Sequence, residues 1–183
     1  RELACAANRE QRRAEIAQEK AAWEAELDAW PQERDPWSLE VAKDSPAMHP
    51  RQMLRALEKA MPTDAMVSTD IGNICSVANS YLRFQRPRSL FAAMSFGNCG
   101  YAFPAIIGAK LAALERPAVA YAGDGAWAMS MVEVMTAVRH NIPVTAVVFH
   151  NRQWGAEKKN QVDFYNRRFV AGELDSPSFA GIA

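Results

Sequence analysis

The sequence has 183 residues, of which 49% are hydrophobic and 23% are charged, so it is long enough for one substantial core of ordinary globular composition. Its 21 Lys and Arg residues balance 21 Asp and Glu residues, and the zero net charge gives no electrostatic attraction to nucleic acids or anionic membranes. Apolar runs such as 117–122 and 142–149 are far too short to span a bilayer, and no signal-peptide pattern is visible, so we expect a cytoplasmic protein without nucleic-acid or membrane partners.

The first part of the chain is predicted to be a helix followed by a connector. Residues 1–30 are rich in Ala, Glu, Gln and Arg, which favours a long and mostly polar helix. Prolines at 31, 36 and 46 end this pattern and predict an ordered connector. Because the chain starts without Met inside a helical pattern, we expect residues 1–47 to be a helical connector from a preceding domain. Residues 48–183 then form the next domain, which we expect to be truncated at its C-terminus because 178–183 look like the start of a helix.

Strands and helices alternate through the rest of the chain. Short apolar or β-branched runs predict strands, and apolar residues at helical spacing predict helices. In chain order we expect a helix at 49–61, a strand at 65–69, a helix at 71–82, a strand at 88–92, a helix at 97–114, a strand at 117–122, a helix at 133–140 and a strand at 144–149. This order favours an α/β fold with a doubly wound, mostly parallel sheet that carries helices on both faces.

The motif with the most chemical content is Gly123-Asp124-Gly125, directly after the strand predicted at 117–122. At the carboxyl end of a strand, glycines allow a ligand to approach the backbone, and Asp124 offers a hard oxygen to Mg²⁺. Asn151 ends the next strand, 27 residues after Asp124, and one helix lies between the two strands. If these strands are neighbours, a carboxylate and an amide oxygen meet at one sheet edge and can bind a phosphate-bearing Mg²⁺. The Gly-Asp-Gly motif alone is weak evidence, because an ordinary strand-to-helix turn has the same composition.

The combination resembles the metal motif of the thiamine-diphosphate (ThDP) dependent decarboxylases and synthases, in which Gly-Asp-Gly is followed by an Asn at about this distance. Residues 126–151 are similar to that family's helix between the metal ligands, although His150 replaces the first of two usual asparagines. The resemblance implies ThDP and Mg²⁺ as cofactors. It implies three metal ligands: Asp124, Asn151 and the backbone carbonyl of Gln153. It also implies cofactor contacts at Gly123, Gly125 and Ala126.

An upstream segment, 95–109, resembles the part of that family that contacts the cofactor's pyrimidine ring. On this resemblance the Gly97 carbonyl accepts a hydrogen bond from the pyrimidine 4′-amino group, and Cys99 takes the place of an apolar side chain that supports the bent cofactor. A buried core thiol explains Cys99 equally well. Asn73, in the turn after the first predicted strand, is a candidate diphosphate contact, and a plain Asx turn is the alternative.

The same resemblance implies that no catalytic residue lies in this chain. The family activates ThDP with a glutamate from a separate pyrimidine-binding domain, usually on the partner subunit, and Glu133 does not correspond to it. We therefore expect a homodimer or homotetramer with the cofactor between subunits, and an inactive chain when it is isolated. The organic reactivity belongs to the cofactor.

Within the family, the segments 48–51, 95–104 and 151–170 most resemble sulfoacetaldehyde acetyltransferases. The implied reaction converts sulfoacetaldehyde and phosphate to acetyl phosphate and sulfite. Both substrates are anionic, so cationic side chains are expected near the site. Arg152 and Lys158 are weak candidates, because a run of basic residues is usually a solvated face.

Three alternatives remain open from the sequence. One is a ThDP enzyme of different chemistry, either an acetolactate-synthase-like carboligase or a 2-oxo-acid decarboxylase. Another is a Rossmann-type nucleotide-binding oxidoreductase domain, although the glycines at 97 and 100 lack the third glycine of that fingerprint. The last is a module without enzymatic activity of its own.

Overall fold

A computed structural model of the chain describes residues 2–29 and 50–182. These residues fall into two units, one ending at Gln52 and the other beginning at Met53. In the first unit, helix α1 (Glu2–Ala29) confirms the long N-terminal helix. The connector predicted at 31–47 lies outside the described residues, and the division into domains at residue 48 stays a prediction. No helix in the described ranges combines the length and apolarity needed to cross a membrane.

The remaining elements alternate as the sequence predicted. In chain order they are α2 (Pro50–Ala60), β1 (Met66–Thr69), α3 (Asn73–Tyr81), β2 (Leu90–Ala92), α4 (Ala102–Ala112), β3 (Ala118–Gly123), α5 (Asp124–Ser130), α6 (Val134–Arg139), β4 (Thr145–Phe149) and α7 (Gly155–Phe164). Short 3₁₀ turns cover Met131–Glu133 and Phe179–Gly181. Each strand is followed by a helical segment, which is the connection that a parallel sheet requires.

The four strands form one parallel sheet in the order β2-β1-β3-β4. All residues of β1 and residues 118–122 of β3 are buried, because these strands lie at the centre of a sheet covered on both faces. The core contains Phe103 and Ile106 of α4, which pack with the small residues of β3 and with Trp127 of α5. This arrangement confirms the predicted doubly wound α/β fold and brings the carboxyl ends of β1, β3 and β4 to the same edge.

One helix prediction was wrong in its start. The helix predicted from Gly97 begins at Ala102, because Gly97 and Gly100 have φ angles of 76° and 81°, outside the helical region. The helix predicted at 133–140 is confirmed by α6. Helix α5 begins directly at Asp124, and a 3₁₀ turn separates it from α6.

A buried aspartate connects the end of β1 to the start of α4. Asp70 is fully buried, and its two carboxylate oxygens accept hydrogen bonds from the backbone N–H groups of Tyr101 and Ala102, each at 3.1 Å. These amides lie at the helix start, where N–H groups have no partner within the helix. Burial raises the pKa of Asp70, and the backbone N–H groups oppose that shift because they favour the charged form. Asp70 therefore fixes where α4 begins and where the Gly97–Gly100 segment ends.

Replacing Asp70 by Ala tests this connection. We expect the free energy of unfolding in urea to fall by about 2 kcal/mol, the upper end for the loss of a helix cap, because two buried N–H groups lose their acceptor. The matched control is Asp175→Ala, at an exposed aspartate, which should change stability by no more than about 0.5 kcal/mol. Equal stability of the two variants would contradict a capping role for Asp70.

Candidate functional site

The candidate site lies where β3 and β4 end. These strands are neighbours, and Gly123 at the end of β3 pairs with Phe149 at the end of β4. Asp124 and His150 are therefore the first residues beyond the sheet on adjacent strands. The strands that precede Asp124 and Asn151 are therefore neighbours that end at one edge of the sheet, as a shared metal site requires.

The Asp124 carboxylate is buried and is held by backbone amides. Asp124 is 1% exposed. One oxygen accepts a hydrogen bond from Gly125 N–H at 2.9 Å, and the other accepts one from Arg152 N–H at 2.6 Å. His150 Nε2 lies 4.0 Å from the second oxygen. A carboxylate removed from water requires such donors, and its remaining lone pairs are available to a cation.

Two amide side chains converge near the start of α7. Asn151 is exposed, and its Oδ1 accepts a hydrogen bond from Gln153 N–H at 3.3 Å. A Cβ atom placed on Gly155 would lie 3.6 Å from the amide nitrogen of Asn151 and 3.6 Å from that of Asn73. The structure thus brings Asn73, which begins α3 after β1, to the same place as Asn151, which follows β4.

The aromatic ring of Trp154 covers Gly125. A Cβ atom placed on Gly125 would lie 2.6 Å from two ring carbons of Trp154, so only glycine fits beneath this ring without a shift. The Gly125 N–H is already donated to Asp124, and Gly125 is buried. Sequence reasoning missed Trp154, since a lone tryptophan after a strand carries no periodic signal that would reveal this contact.

The upstream segment lies against the same region. A Cβ atom placed on Gly100 would be 3.1 Å from Cβ of Met129, which shows that the segment contacts α5. Cys99 is half-buried, and desolvation raises the pKa of its thiol, with further contributions from the carboxylates of Asp70 and Glu157. The thiol is therefore kept protonated near neutral pH, which argues against a nucleophilic role. Gly97, also predicted as a site residue, is exposed.

The basic side chains after β4 are largely engaged within the chain. Lys158 Nζ lies 2.6 Å from Glu173 Oε1, and Lys159 Nζ lies 2.5 Å from Asp163 Oδ2. Arg152 has a left-handed backbone with φ of 58°, and its N–H contacts Asp124. The contact of Arg152 with Asp124 is therefore made by its backbone. These ion pairs weaken the prediction that Lys158 recognises an anionic substrate.

A metal ion bound at this site would need ligands besides carboxylates, thiolates and imidazoles. Across residues 2–29 and 50–182 no group of three or more His, Cys, Asp or Glu side chains is placed to hold a metal ion. The oxygen donors among the predicted site residues are the Asp124 carboxylate, the side-chain amides of Asn73 and Asn151 and backbone carbonyls. Such a set suits a hard cation that keeps some water ligands, as Mg²⁺ does.

A separate apolar cavity of about 900 Å³ borders the region on the far side of β4. It is lined mainly by apolar side chains of α5, α6, β4 and the C-terminal turn, including Trp127, Val148 and Phe179. His150 contributes to its wall, whereas Asp124 and Asn151 do not. The cavity therefore does not define the polar site.

Several known proteins resemble this chain in sequence. Residues 70–183 match the family model described as "Thiamine pyrophosphate enzyme, C-terminal TPP binding domain". Sulfoacetaldehyde acetyltransferase from Castellaniella defragrans is 73% identical over 186 residues, which cover 99% of this chain and 31% of that protein. The enzyme of the same name from Alcaligenes xylosoxydans xylosoxydans is 70% identical over 190 residues, covering 99% of this chain and 32% of that protein. The chain thus spans about a third of the length of these relatives.

A solved structure supports the fold. The thiamine diphosphate-dependent 4-hydroxybenzoylformate decarboxylase of Rhodococcus jostii RHA1 superposes with a TM-score of 0.70. The match covers 79% of this chain and 27% of that chain, at 21% sequence identity. At this identity the likeness concerns the fold alone.

The contact between Gly125 and Trp154 gives a test of the site's packing. Gly125→Ala should lower the free energy of unfolding by about 1–3 kcal/mol, because the new methyl group overlaps the Trp154 ring. Gly108→Ala is the matched control, since Gly108 lies within α4 with no atom within 4 Å of a new Cβ. That control should raise stability by about 0.5–1 kcal/mol, the ordinary difference between Ala and Gly in a helix. Urea unfolding of both variants is the measurement, and a Gly125→Ala protein as stable as the parent would rule out the overlap.

Proposed function

We propose a function for this site from one premise: the chain belongs to the thiamine pyrophosphate enzymes and matches their C-terminal TPP binding domain. In the intact protein, this domain would hold the diphosphate end of ThDP through a Mg²⁺ ion at the edge formed by β3 and β4. The side chains of Asp124 and Asn151 and the backbone carbonyl of Gln153 would bind the metal. The buried Asp124 carboxylate beside the loop that carries Asn151 is the observation that supports this assignment most strongly.

The donor set fits Mg²⁺ in charge and in chemistry. Asp124 brings one buried negative charge, and within 4.0 Å of it the described residues offer only the imidazole of His150 as a basic partner. A divalent cation would complete the compensation of this charge, and its phosphate ligands would in turn be neutralised by the metal. Asn73 and Asn151 converge near Gly155, which supports the proposal that Asn73 contacts the diphosphate.

The remaining predicted contacts keep distinct roles. We assign Gly123 and Ala126 to the backbone wall of the diphosphate site at the β3–α5 turn. The Gly125 amide is used by Asp124, so Gly125 serves the site chiefly by admitting Trp154. Gly97 and Cys99 remain assigned to the pyrimidine end. There the Gly97 carbonyl would orient the 4′-amino group, and the half-buried Cys99 would support the bent cofactor as an apolar surface.

We infer that the intact protein transfers an acetyl group from sulfoacetaldehyde to phosphate, with release of sulfite. Two proteins named sulfoacetaldehyde acetyltransferase support this reading at 73% and 70% identity across 99% of this chain. When bound, ThDP supplies the carbanion chemistry of the reaction. The residues of this chain bind and orient the cofactor. The activating glutamate would come from a pyrimidine-binding domain on the partner subunit of a cytoplasmic homodimer or homotetramer.

Removal of the Asp124 carboxylate tests the metal assignment. Asp124→Ala in the intact protein should abolish Mg²⁺-dependent ThDP binding, measured by tryptophan fluorescence, because the one charged ligand is lost. Asp163→Asn is the control, since Asp163 lies exposed on α7 and pairs with Lys159. Circular dichroism should show that both variants keep the fold. Normal cofactor retention in Asp124→Ala would exclude Asp124 as a ligand.

The substrate assignment needs a separate experiment. The intact protein, loaded with ThDP and Mg²⁺, is given sulfoacetaldehyde with and without phosphate, and pyruvate in parallel. We expect sulfite to be released together with acetyl phosphate, and only when phosphate is present. Acetolactate from pyruvate, or carbon dioxide release without a new carbon–carbon bond, would instead support a carboligase or a 2-oxo-acid decarboxylase.

A further inference from the structure

We propose that Gln161 is a positioning residue for the metal site, acting through the segment 170–174, here called the return segment. This proposal rests on the proposed function, because Gln153 is a metal ligand only if the site holds Mg²⁺ and ThDP. Gln161 lies on α7 and does not belong to the motif that the sequence analysis recognised. Its connection to the site passes through three sets of backbone contacts.

The first set joins the loop at residues 150–154, here called the metal loop, to the return segment. Trp154 N–H donates to Gly172 O at 2.9 Å, and Leu174 N–H donates to Arg152 O at 2.8 Å. Gln153 and Glu173 pair between these bonds as an antiparallel bridge. Together with the Arg152 N–H bond to Asp124, these contacts fix the backbone on both sides of Gln153.

The peptide plane then sets the direction of the Gln153 carbonyl. The C=O of Gln153 and the N–H of Trp154 belong to one planar trans peptide, so the two groups point in opposite directions. Because the Trp154 N–H is directed at Gly172, the Gln153 carbonyl is directed away from the return segment. The return segment therefore determines the orientation of the third proposed ligand, and any rotation of this plane would move the carbonyl oxygen.

Gln161 holds the return segment in place at its first residue. Its side-chain Nε2 donates to Val170 O at 2.9 Å, and its Oε1 accepts from Val170 N–H at 3.1 Å. The amide side chain thus pairs with one residue as a neighbouring β-strand would. Lys158 supports the same segment from α7, through Glu173 and through close contact with the backbone of Gly172. Both bonds of Gln161 are lost together if its amide is removed.

The test uses the intact protein and compares Gln161→Met with Gln161→Glu. Methionine keeps the length and the helix propensity of glutamine but removes both bonds. Glutamate keeps an acceptor for Val170 N–H and should give an intermediate result. Lys159→Met is the control, because Lys159 pairs with Asp163 on α7 and away from the return segment.

Two measurements are made on each variant. In a Mg²⁺ titration at saturating ThDP, followed by tryptophan fluorescence, Gln161→Met should need about tenfold more Mg²⁺ for half-saturation, the lower end for outer-shell partners of a metal ligand. High Mg²⁺ should restore full ThDP binding, which a merely unfolded protein would not do. Hydrogen exchange followed by mass spectrometry should show faster exchange in peptides that contain Trp154 and Leu174.

The outcomes separate the two proposals. Unchanged Mg²⁺ half-saturation and unchanged exchange in Gln161→Met would overturn the role of Gln161. A shift of equal size in Lys159→Met would also overturn it, because α7 as a whole would then be responsible. Failure of the parent protein to bind ThDP with Mg²⁺ would instead overturn the proposed function. In that case the exchange measurement alone would decide whether Gln161 holds the loop.

Discussion

The structure of the site depends on the burial of the Asp124 carboxylate. Asp124 is 1% exposed, and a carboxylate buried to this degree requires hydrogen-bond donors nearby. The chain supplies these donors from its own backbone. The donor at Gly125 is local, whereas the donor at Arg152 comes from the loop after β4. This second bond ties the loop after β4, which also carries Asn151 and Trp154, to the end of β3. The left-handed backbone of Arg152 is the local strain that accompanies this approach.

A second buried carboxylate repeats the same principle on the next strand. Asp70 follows β1 and accepts bonds from the start of α4, as Asp124 follows β3 and accepts one from the loop before α7. In both cases a carboxylate at the end of a central strand fixes a segment that crosses the sheet edge. The upstream Gly97–Gly100 segment and the loop after β4 are thus both anchored to the same sheet. Their relative position follows from the register between β1 and β3.

The sequence was sufficient to predict the sheet and the convergence of its strand ends, and it failed where side chains meet backbone over long separations. Runs such as 144–149 are dominated by β-branched residues, and the parallel order follows from strands that alternate with helices. The start of α4 was misplaced because the glycines at 97 and 100 adopt positive φ, and their composition alone does not reveal that conformation. The contacts of Trp154 with Gly125 and of Gln161 with Val170 carry no periodicity. They became visible only once the fold had placed these residues together.

The ionisable groups around the site indicate what this chain contributes to catalysis. Desolvation raises the pKa of Cys99, and burial raises that of Tyr121 to about 12, so both stay protonated at neutral pH. Lys158 forms an ion pair with Glu173. Asp70 and Asp124 are both committed to backbone amides. General acid–base catalysis needs a group that can exchange its proton near the working pH, and the raised pKa values of Cys99 and Tyr121 do not favour that role. This arrangement is consistent with the proposed role of the domain, which is to bind and orient a cofactor.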